Sequence, residues 1–563
     1  ADKHTLLHTG RIVPIYSQTE RITSRWLREK MVKVRPAIAH IAETLPLSVL
    51  SEEHLLSRAD AISELHFPTS PASLQRAKDR FAFEELYAIH VEALQRKKDW
   101  QGRSQARLST PMDIGLMKAF FASLKFTPTG GQKVAIYEIL KDMERDVPMS
   151  RLLEGDVGSG KTIVAVAVIA NVIRHGGQCA LMVPTEVLAR QHLATITTLL
   201  IKLHTFLLSS SHMQSASAGW GSEWEKSSVS SIPFRLPSIA LLTGSCPRSE
   251  SEDIRQRLSE GLIDLVIGTH ALIEDSVRMK DLRLVIVDEQ HRFGVMQRQR
   301  LKDKGNPHFL SMTATPIPRT LALTAFGDHD LSVLMEKPMN RRRIHTAVVP
   351  PDERDAIDRF IDSHIEAGRQ AFVICPLISE SSAEEMAEVT SVEYELKRLR
   401  VSFPHRRIAK LHGKMTPAEK EETMQAFKDK SSDILVSTSV IEVGIDVPNA
   451  TIIVIEGAER FGLSQLHQFR GRVGRGEHAS HCFLCTTSPS QASSPRLKAM
   501  EEHESGFQLA EIDLKLRGPG ELFGLRQSGM PEIRVGSLLN LALVMKARAA
   551  AERTLARAAG VVT

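Results

Sequence analysis

The sequence predicts an α/β protein in which two parallel-sheet lobes follow one another behind a helical N-terminal region. Three observations carry that prediction. Residues 151–168, RLLEGDVGSGKTIVAVAV, set a Gly-rich loop between a short apolar strand and an Ala/Val-rich helix. Apolar runs then alternate with helical patterns as far as Pro316, as the strand–helix–strand units of a parallel sheet do. From residue 370 the alternation returns without a second Gly-rich loop.

At 563 residues the chain has length for three or four domains with buried cores. Hydrophobic content of 42% and charged content of 25% are those of an ordinary soluble globular protein. A net charge of +5 permits a nucleic-acid partner without arguing for one. Five scattered cysteines suit a reducing compartment. Cys482 and Cys485 have metal-ligand spacing, but no second pair follows and their apolar surroundings predict a buried strand. There is no run of 18 apolar residues and no signal-peptide core, so no membrane partner is expected. The chain begins with Ala1 rather than Met, which points to a fragment with its own N-terminus missing.

Taken in order, residues 11–16, RIVPIY, are expected to be the last strand of an earlier domain. Residues 23–122 turn helical, with amphipathic spacing over 74–94 and breaks at Pro68 and Pro71, and carry no catalytic pattern. Gln132 opens a helix shortly before the Gly-rich loop. Beside a nucleotide site its amide donor and acceptor suit an adenine edge.

The loop itself is G-x-x-x-x-G-K-T, from Gly155 through Gly158, Ser159, Gly160 and Lys161 to Thr162. Glycines let successive N–H groups face phosphate oxygens, and the helix start adds partial positive charge. Lys161 is expected on the β/γ-phosphates, and the Thr162 hydroxyl on Mg²⁺. The loop predicts a nucleoside triphosphate ligand.

Beyond it, residues 179–183 form a strand running into Thr185, and residues 209–231 are a Ser-dense, mobile surface insertion. The strands Ile239–Leu242 and 265–267 end in Thr243-Gly244-Ser245 and Gly268-Thr269-His270. Thr185, Thr243, Thr269 and His270 thus sit at strand C-termini and suit contacts to a phosphate backbone rather than to bases. Leu282–Val287 is a buried strand ending in Asp288-Glu289-Gln290-His291. Carboxylates there are costly unless a cation pairs with them. Asp288 is therefore expected to hold Mg²⁺ through water, and Glu289 to deprotonate the attacking water. Gln290 and His291 complete the catalytic candidates, and Thr313 and Thr315 form a strand-end switch.

Residues 338–343 link the halves, and 370–377, 407–411, Ile434–Ser437 and 452–455 are the strands of the second. That half carries QFRGRVGR, residues 468–475. A Gly-spaced arginine triplet is more often a solvated patch. Here the first half needs positive charge over a γ-phosphate, which casts Arg472 and Arg475 as fingers from the second lobe.

GDVGSGKT, VPTEVLARQH, GTHALI, IVDEQHRFGV, MTATPIPRT, LHGKM, TSVIEVGIDVPNA and QLHQFRGRVGRG together resemble the RecG family of DNA translocases, as does the tail segment LRGPGELFGLRQSG. The resemblance covers residues 12–535 apart from the Ser-rich insertion. It implies two RecA-like motor lobes that use ATP and Mg²⁺ to move on double-stranded DNA and remodel stalled forks and Holliday junctions, acting as a monomer. By position, Arg496, Arg517 and Gln527 fall on the family's coupling residues, in a helical hairpin and loop. Glu442, Gly444 and Asp446 fall on the motif linking the ATP and DNA sites, and Thr438 opens that motif.

The expected division is 1–20, remnant of an OB-fold wedge; 21–118, helical linker; 119–340, first lobe with an insertion near 205–238; 341–490, second lobe; and 491–563, translocation hairpin and tail. Only the wedge's last strand is expected, which leaves fork specificity open. A transcription-repair coupling translocase is the alternative, but it would carry a polymerase-binding module where residues 23–122 look helical. A DEAD-box RNA helicase would show Asp-Glu-Ala-Asp at 288–291. A non-hydrolysing clamp would not need Lys161, Glu289 and Arg475 together. A bacterial cytoplasm or nucleoid is the expected location, or an organelle if a targeting segment has been lost.

Overall fold

Short apolar runs bounded by Gly, Pro or Asp become strands, and two parallel sheets collect them. The computed structural model describes residues 12–18, 22–102, 108–216, 234–325, 327–336, 343–376, 384–438, 447–517 and 540–558. The chain divides into two compact units, one of which comprises Trp100–Pro318 and Asp330–Leu516.

In that unit the first sheet contains β1 (Ser150–Gly155), β2 (Gln178–Met182), β3 (Ile239–Leu242), β4 (Leu265–Gly268), β5 (Leu282–Val287), β6 (His308–Thr313) and β7 (Asp330–Leu334). Their order is β3-β4-β2-β5-β6-β1-β7, and every pairing is parallel. The second sheet contains β8 (Ile344–Val349), β9 (Gln370–Ile374), β10 (Ile408–Leu411), β11 (Ile434–Ser437), β12 (Ala450–Ile455) and β13 (Ser480–Cys485). Its order is β10-β11-β9-β12-β13-β8, again all parallel. Parallel neighbours require crossovers, and burial on both faces explains why residues 284–287 of β5 and 452–455 of β12 are apolar runs. Helix Lys161–Arg174 is buried on every side from Val164 to Ile173, a stretch that is apolar except for Asn171. Cys482 and Cys485 lie buried in β13, as their surroundings predicted.

The order places β5, β6 and β1 side by side. Their C-terminal ends lead into the Asp288 segment, the Thr313–Thr315 segment and the Gly-rich loop. Three motifs far apart in sequence therefore meet at one sheet edge.

The other unit comprises Ala1–Asp99, Arg319–His329 and Arg517–Thr563. It is helical, and its core includes an Arg80 guanidinium with no exposure, paired with Glu43 and, at 2.8 Å, with Glu84. Helix Leu541–Ala558 packs back onto this unit. Buried Val544, Ala547, Ala550 and Ala551 allow close approach. Around that stripe Arg557 pairs with Glu52 at 2.7 Å, Lys546 with Glu53 at 3.2 Å, and Tyr87 bonds Thr554 at 3.0 Å.

Several expected boundaries move. Residues 491–563 do not travel together: the part up to Leu516 belongs to the motor unit, and the last helix to the helical one. Residues 100–118 leave the linker, because Leu116 and Met117 join Phe120 in the first lobe's core. Residues 12–18 are not a strand; Pro14 lacks an N–H, and among the described residues no strand runs beside them. The Ser-rich insertion starts late, since helix Glu186–Ala216 continues through about its first third. Ile196, Leu200, Leu203 and Leu207, spaced on one helix face, pack on the lobe core. By length and composition its Glu186–Ser209 stretch is also apolar enough to cross a bilayer.

Candidate nucleotide site and the cleft between the lobes

Backbone geometry comes first in the Gly-rich loop. Gly158 and Gly160 have φ of +79° and +85°, a region only glycine adopts without strain. A Cβ on Gly160 would lie 2.3 Å from Gln132 Nε2. That contact adds a structural role to a residue expected at an adenine edge. Gln132 is buried, accepts from Thr129 N at 2.9 Å in a capping box, and donates to Ser159 O at 2.8 Å. Its amide braces the loop, so adenine reading would require these bonds to be exchanged.

Lys161 Nζ donates to Gly155 O at 2.6 Å and Asp156 O at 3.2 Å. Burial holds its pKa below the usual lysine range, although Glu289, Asp288, Asp156 and Glu154 all oppose that shift. Four carboxylates around one ammonium leave the pocket short of positive charge. Ser159 Oγ is buried with no hydrogen-bond partner among the described residues, and Thr162 sits in the first turn of helix Lys161–Arg174.

Asp288 follows β5 and accepts at both oxygens: Oδ2 lies 2.9 Å from His192 Nε2, and Oδ1 takes Glu289 N at 2.9 Å. Burial raises its pKa, but His192 and Lys161 more than offset this, and the carboxyl stays below its ordinary range. Glu289 has φ +49°, a left-handed conformation costing a non-glycine residue roughly 1 kcal/mol. Its Oε2 accepts from Ala314 N at 3.3 Å. Burial and the neighbouring Asp288 push its pKa up, while Lys161 and Arg472 pull the other way. Two adjacent acids thus have opposite proton affinities. Gln290 is buried, with Oε1 3.5 Å from Arg298 Nη1, and His291 Nδ1 lies 3.7 Å from Glu289 Oε2. His192 was not singled out in the sequence; its only signal was its place in VPTEVLARQH.

The arginine segment follows helix Leu463–Arg470 and reaches this site. A Cβ on Gly471 would lie 2.7 Å from Val157 Cγ1 of the Gly-rich loop. Arg472 is buried with its charge acting on Glu289, and Arg475 Nε donates to Gly471 O at 3.3 Å. Gln468 Nε2 donates to Thr315 Oγ1 at 2.6 Å, and His467 Nε2 bonds Asp156 Oδ1. The two lobes therefore close on each other through the loop, the strand-end switch and the arginine helix.

The remaining candidates separate. Thr185 Oγ1 caps its helix, accepting from Leu188 N at 3.4 Å. Thr243 lies 3.2 Å from Ser245 Oγ, Thr269 is buried, and exposed His270 stands 3.8 Å from where a Gly244 Cβ would be. Thr313 Oγ1 accepts from Thr315 N at 3.2 Å, so both threonines are engaged internally. A cavity of about 430 Å³ runs between the lobes, lined by Thr185, Arg190 and Thr195 on one side and Leu411, Lys420 and Lys428 on the other. Thr438 Oγ1 is buried, and Arg496 Nη2 donates to Glu459 O at 3.2 Å. Arg517 ends helix Gly506–Arg517; its side chain, with Gln527, Glu442, Gly444 and Asp446, lies outside the described residues.

Known proteins share this layout. Residues 129–324 match the DEAD/DEAH box helicase family model, 352–477 the helicase conserved C-terminal domain, and 503–560 the ATP-dependent DNA helicase RecG, domain 3, C-terminal. The chain is 42% identical over 546 residues to an ATP-dependent DNA helicase RecG of Synechocystis sp., covering 96% of this chain and 61% of that protein. It is 41% identical over 532 residues to the RecG of Bacillus subtilis, covering 94% and 73%. A solved structure of RecG bound to a three-way DNA junction superposes with a TM-score of 0.69 at 37% identity, covering 95% of this chain and 66% of that one. The chain thus spans about three-fifths to three-quarters of the length of these relatives. It belongs to the RecG family of ATP-dependent DNA helicases.

Proposed function

We propose that the chain is an ATP-driven motor on double-stranded DNA that remodels branched DNA, including stalled forks and Holliday junctions, as a monomer at the bacterial chromosome. The observation that carries this reading is the meeting of Lys161, Asp288, Glu289 and Arg472 in one cleft between two lobes. The related protein solved on a three-way junction supports the choice of DNA.

The Gly-rich loop holds the triphosphate through its backbone N–H groups, with Lys161 drawn from the loop carbonyls onto the β/γ-phosphates. The charge balance favours a divalent cation with the nucleotide, because four carboxylates face the Lys161 ammonium and the Arg472 guanidinium. Thr162 and Asp288 would hold Mg²⁺, which supplies charge neutralisation on the phosphate oxygens. Glu289, kept at high proton affinity by burial, takes the proton from the attacking water. Arg472 and Arg475 stabilise charge on the transferring group from the second lobe. Thr185, Thr243, Thr269, His270 and the basic side chains Arg190, Lys420 and Lys428 serve the DNA backbone. Arg496, Arg517 and Gln527, with Glu442, Gly444 and Asp446, couple turnover to movement.

The test is ATPase activity with and without duplex DNA across a salt series. Stimulation by DNA, with affinity falling steeply in salt and varying little between sequences, is the expected result. A strong sequence preference at fixed salt, or no stimulation, would sink the proposal.

A further inference from the structure

Residues 314–318, Ala-Thr-Pro-Ile-Pro, follow β6 and form a turn against Glu289. Two of the five are prolines and have no N–H, so the turn has three backbone donors to place. All three go to side-chain oxygens. Ala314 N donates to Glu289 Oε2 at 3.3 Å, Thr315 N to Thr313 Oγ1 at 3.2 Å, and Ile317 N to Glu154 Oε1. The turn is thus suspended between two carboxylates. The hydrolysis scheme uses Glu289 and has no task for Glu154.

Glu154 lies in β1 beside Gly155 and is 1% exposed. A carboxylate in that setting is costly unless donors meet it. Its charge acts on Lys161, but that ammonium bonds Gly155 O at 2.6 Å and Asp156 O at 3.2 Å. The direct bond to Ile317 N is a charge-assisted one in a dry interior, where such bonds are strong. Glu154 also pairs with Thr313, the residue before Ala314, across β1 and β6. One residue therefore fixes both ends of the turn, by its backbone register at Thr313 and by its side chain at Ile317.

Between those ends the backbone is stiff. Pro316 and Pro318 have fixed φ, and each restricts the residue before it, Thr315 and Ile317. A shift at Ile317 is passed on to Ala314 N, and so to Glu289 Oε2. Glu289 needs that support, because a non-glycine residue at φ +49° persists only where its surroundings hold it. We propose that Glu154 is a positioning residue for ATP hydrolysis: through Ile317 it fixes the 314–317 turn, and the turn fixes the carboxylate of Glu289. The proposal rests on Glu289 as the general base of the nucleotide-driven motor read above. Glu154 itself takes no proton and breaks no bond.

Steady-state ATPase of the full chain on duplex DNA tests this with three substitutions. Glu154→Leu removes the acceptor. Glu154→Asp keeps the charge but falls one methylene short of Ile317 N. Glu154→Gln keeps the reach and an acceptor without the charge. Glu154→Leu and Glu154→Asp should lose about 10–100-fold in kcat with KM for ATP unchanged, the size and signature of a misplaced catalytic group. Glu154→Gln should recover most of the parent rate, and Glu154→Asp carries the test alone if Glu154→Leu does not fold. On a Glu289→Gln background, single-turnover hydrolysis should show no further loss from Glu154→Asp, because the group it positions is already gone. An acid that merely stabilised the lobe would add its own loss there. A parent-like kcat in Glu154→Asp, a loss confined to KM, or an additive loss in the double variant would overturn the positioning role. Parent-like turnover by Glu289→Gln alone would remove the general base, and with it both the hydrolysis reading and this one.

Discussion

His192 Nε2 lies 2.9 Å from Asp288 Oδ2, bridging the helix after β2 to the end of β5. The contact fixes one carboxylate oxygen, while Glu289 N fixes the other at 2.9 Å. A carboxylate oriented this way is prepared for a cation, and partners that orient such ligands typically matter about 10–100-fold. His192→Ala should therefore lower kcat for ATP hydrolysis by about tenfold and raise the Mg²⁺ concentration needed for half-maximal rate. His192→Gln should recover part of both. An unchanged Mg²⁺ requirement in His192→Ala would remove His192 from the site.

Lys161 and Glu289 carry different burdens, and their variants should separate. Lys161→Ala should lose nucleotide binding, because nothing else in the loop brings a full positive charge. Glu289→Gln should bind nucleotide as the parent does and lose turnover by about 10²–10⁴-fold, the range for a missing general base. Because burial and Asp288 raise the Glu289 pKa, turnover should decline on mild acidification, as protonation removes the base. Equal loss of binding in both variants would contradict the assignment.

His308 has no exposure, accepts from Met149 N at 3.1 Å and donates to Leu108 O at 3.0 Å, so it is held neutral. Burial lowers its pKa from 6.5 to about 4, and the same holds for His90 in the helical unit. A lowered folded-state pKa means that the unfolded chain takes up the proton first. The contribution is complete above pH 6.5 and is lost as pH falls toward 4. Each histidine should cost about 2 kcal/mol of stability by pH 5. Thermal unfolding near pH 7 and near pH 5 should show the drop, and His308→Gln, which keeps a donor and an acceptor, should show less of it. Identical slopes in parent and variant would contradict this.

How much of this could be seen in the sequence depends on how far each feature reaches. The Gly-rich loop, the acid pair and the buried strands were legible because their chemistry is local. Edge strands β7 and β8 were not, since half-exposed strands such as DLSVL and IHTAVV lack a continuous apolar run. The bracing role of Gln132 was only half visible, because its capping-box partner Thr129 is local while its second partner, Ser159 O, is 27 residues away. The return of helix Leu541–Ala558 to the N-terminal helices was invisible for the same reason: an Ala-rich stripe names no partner. His467 was hidden inside a motif quoted for its arginines.

The central claim is that ATP turnover in the cleft drives movement along duplex DNA, with Arg517 and Gln527 converting one into the other. The most direct measurement is displacement of a third strand from a DNA triplex, run beside the DNA-stimulated ATPase. The parent should strip the strand only while hydrolysing ATP. Glu289→Gln should bind ATP without stripping it, and Arg517→Ala and Gln527→Ala should hydrolyse ATP without stripping it. Parent-like displacement by Glu289→Gln, or none by a parent chain that hydrolyses ATP on DNA, would contradict the account.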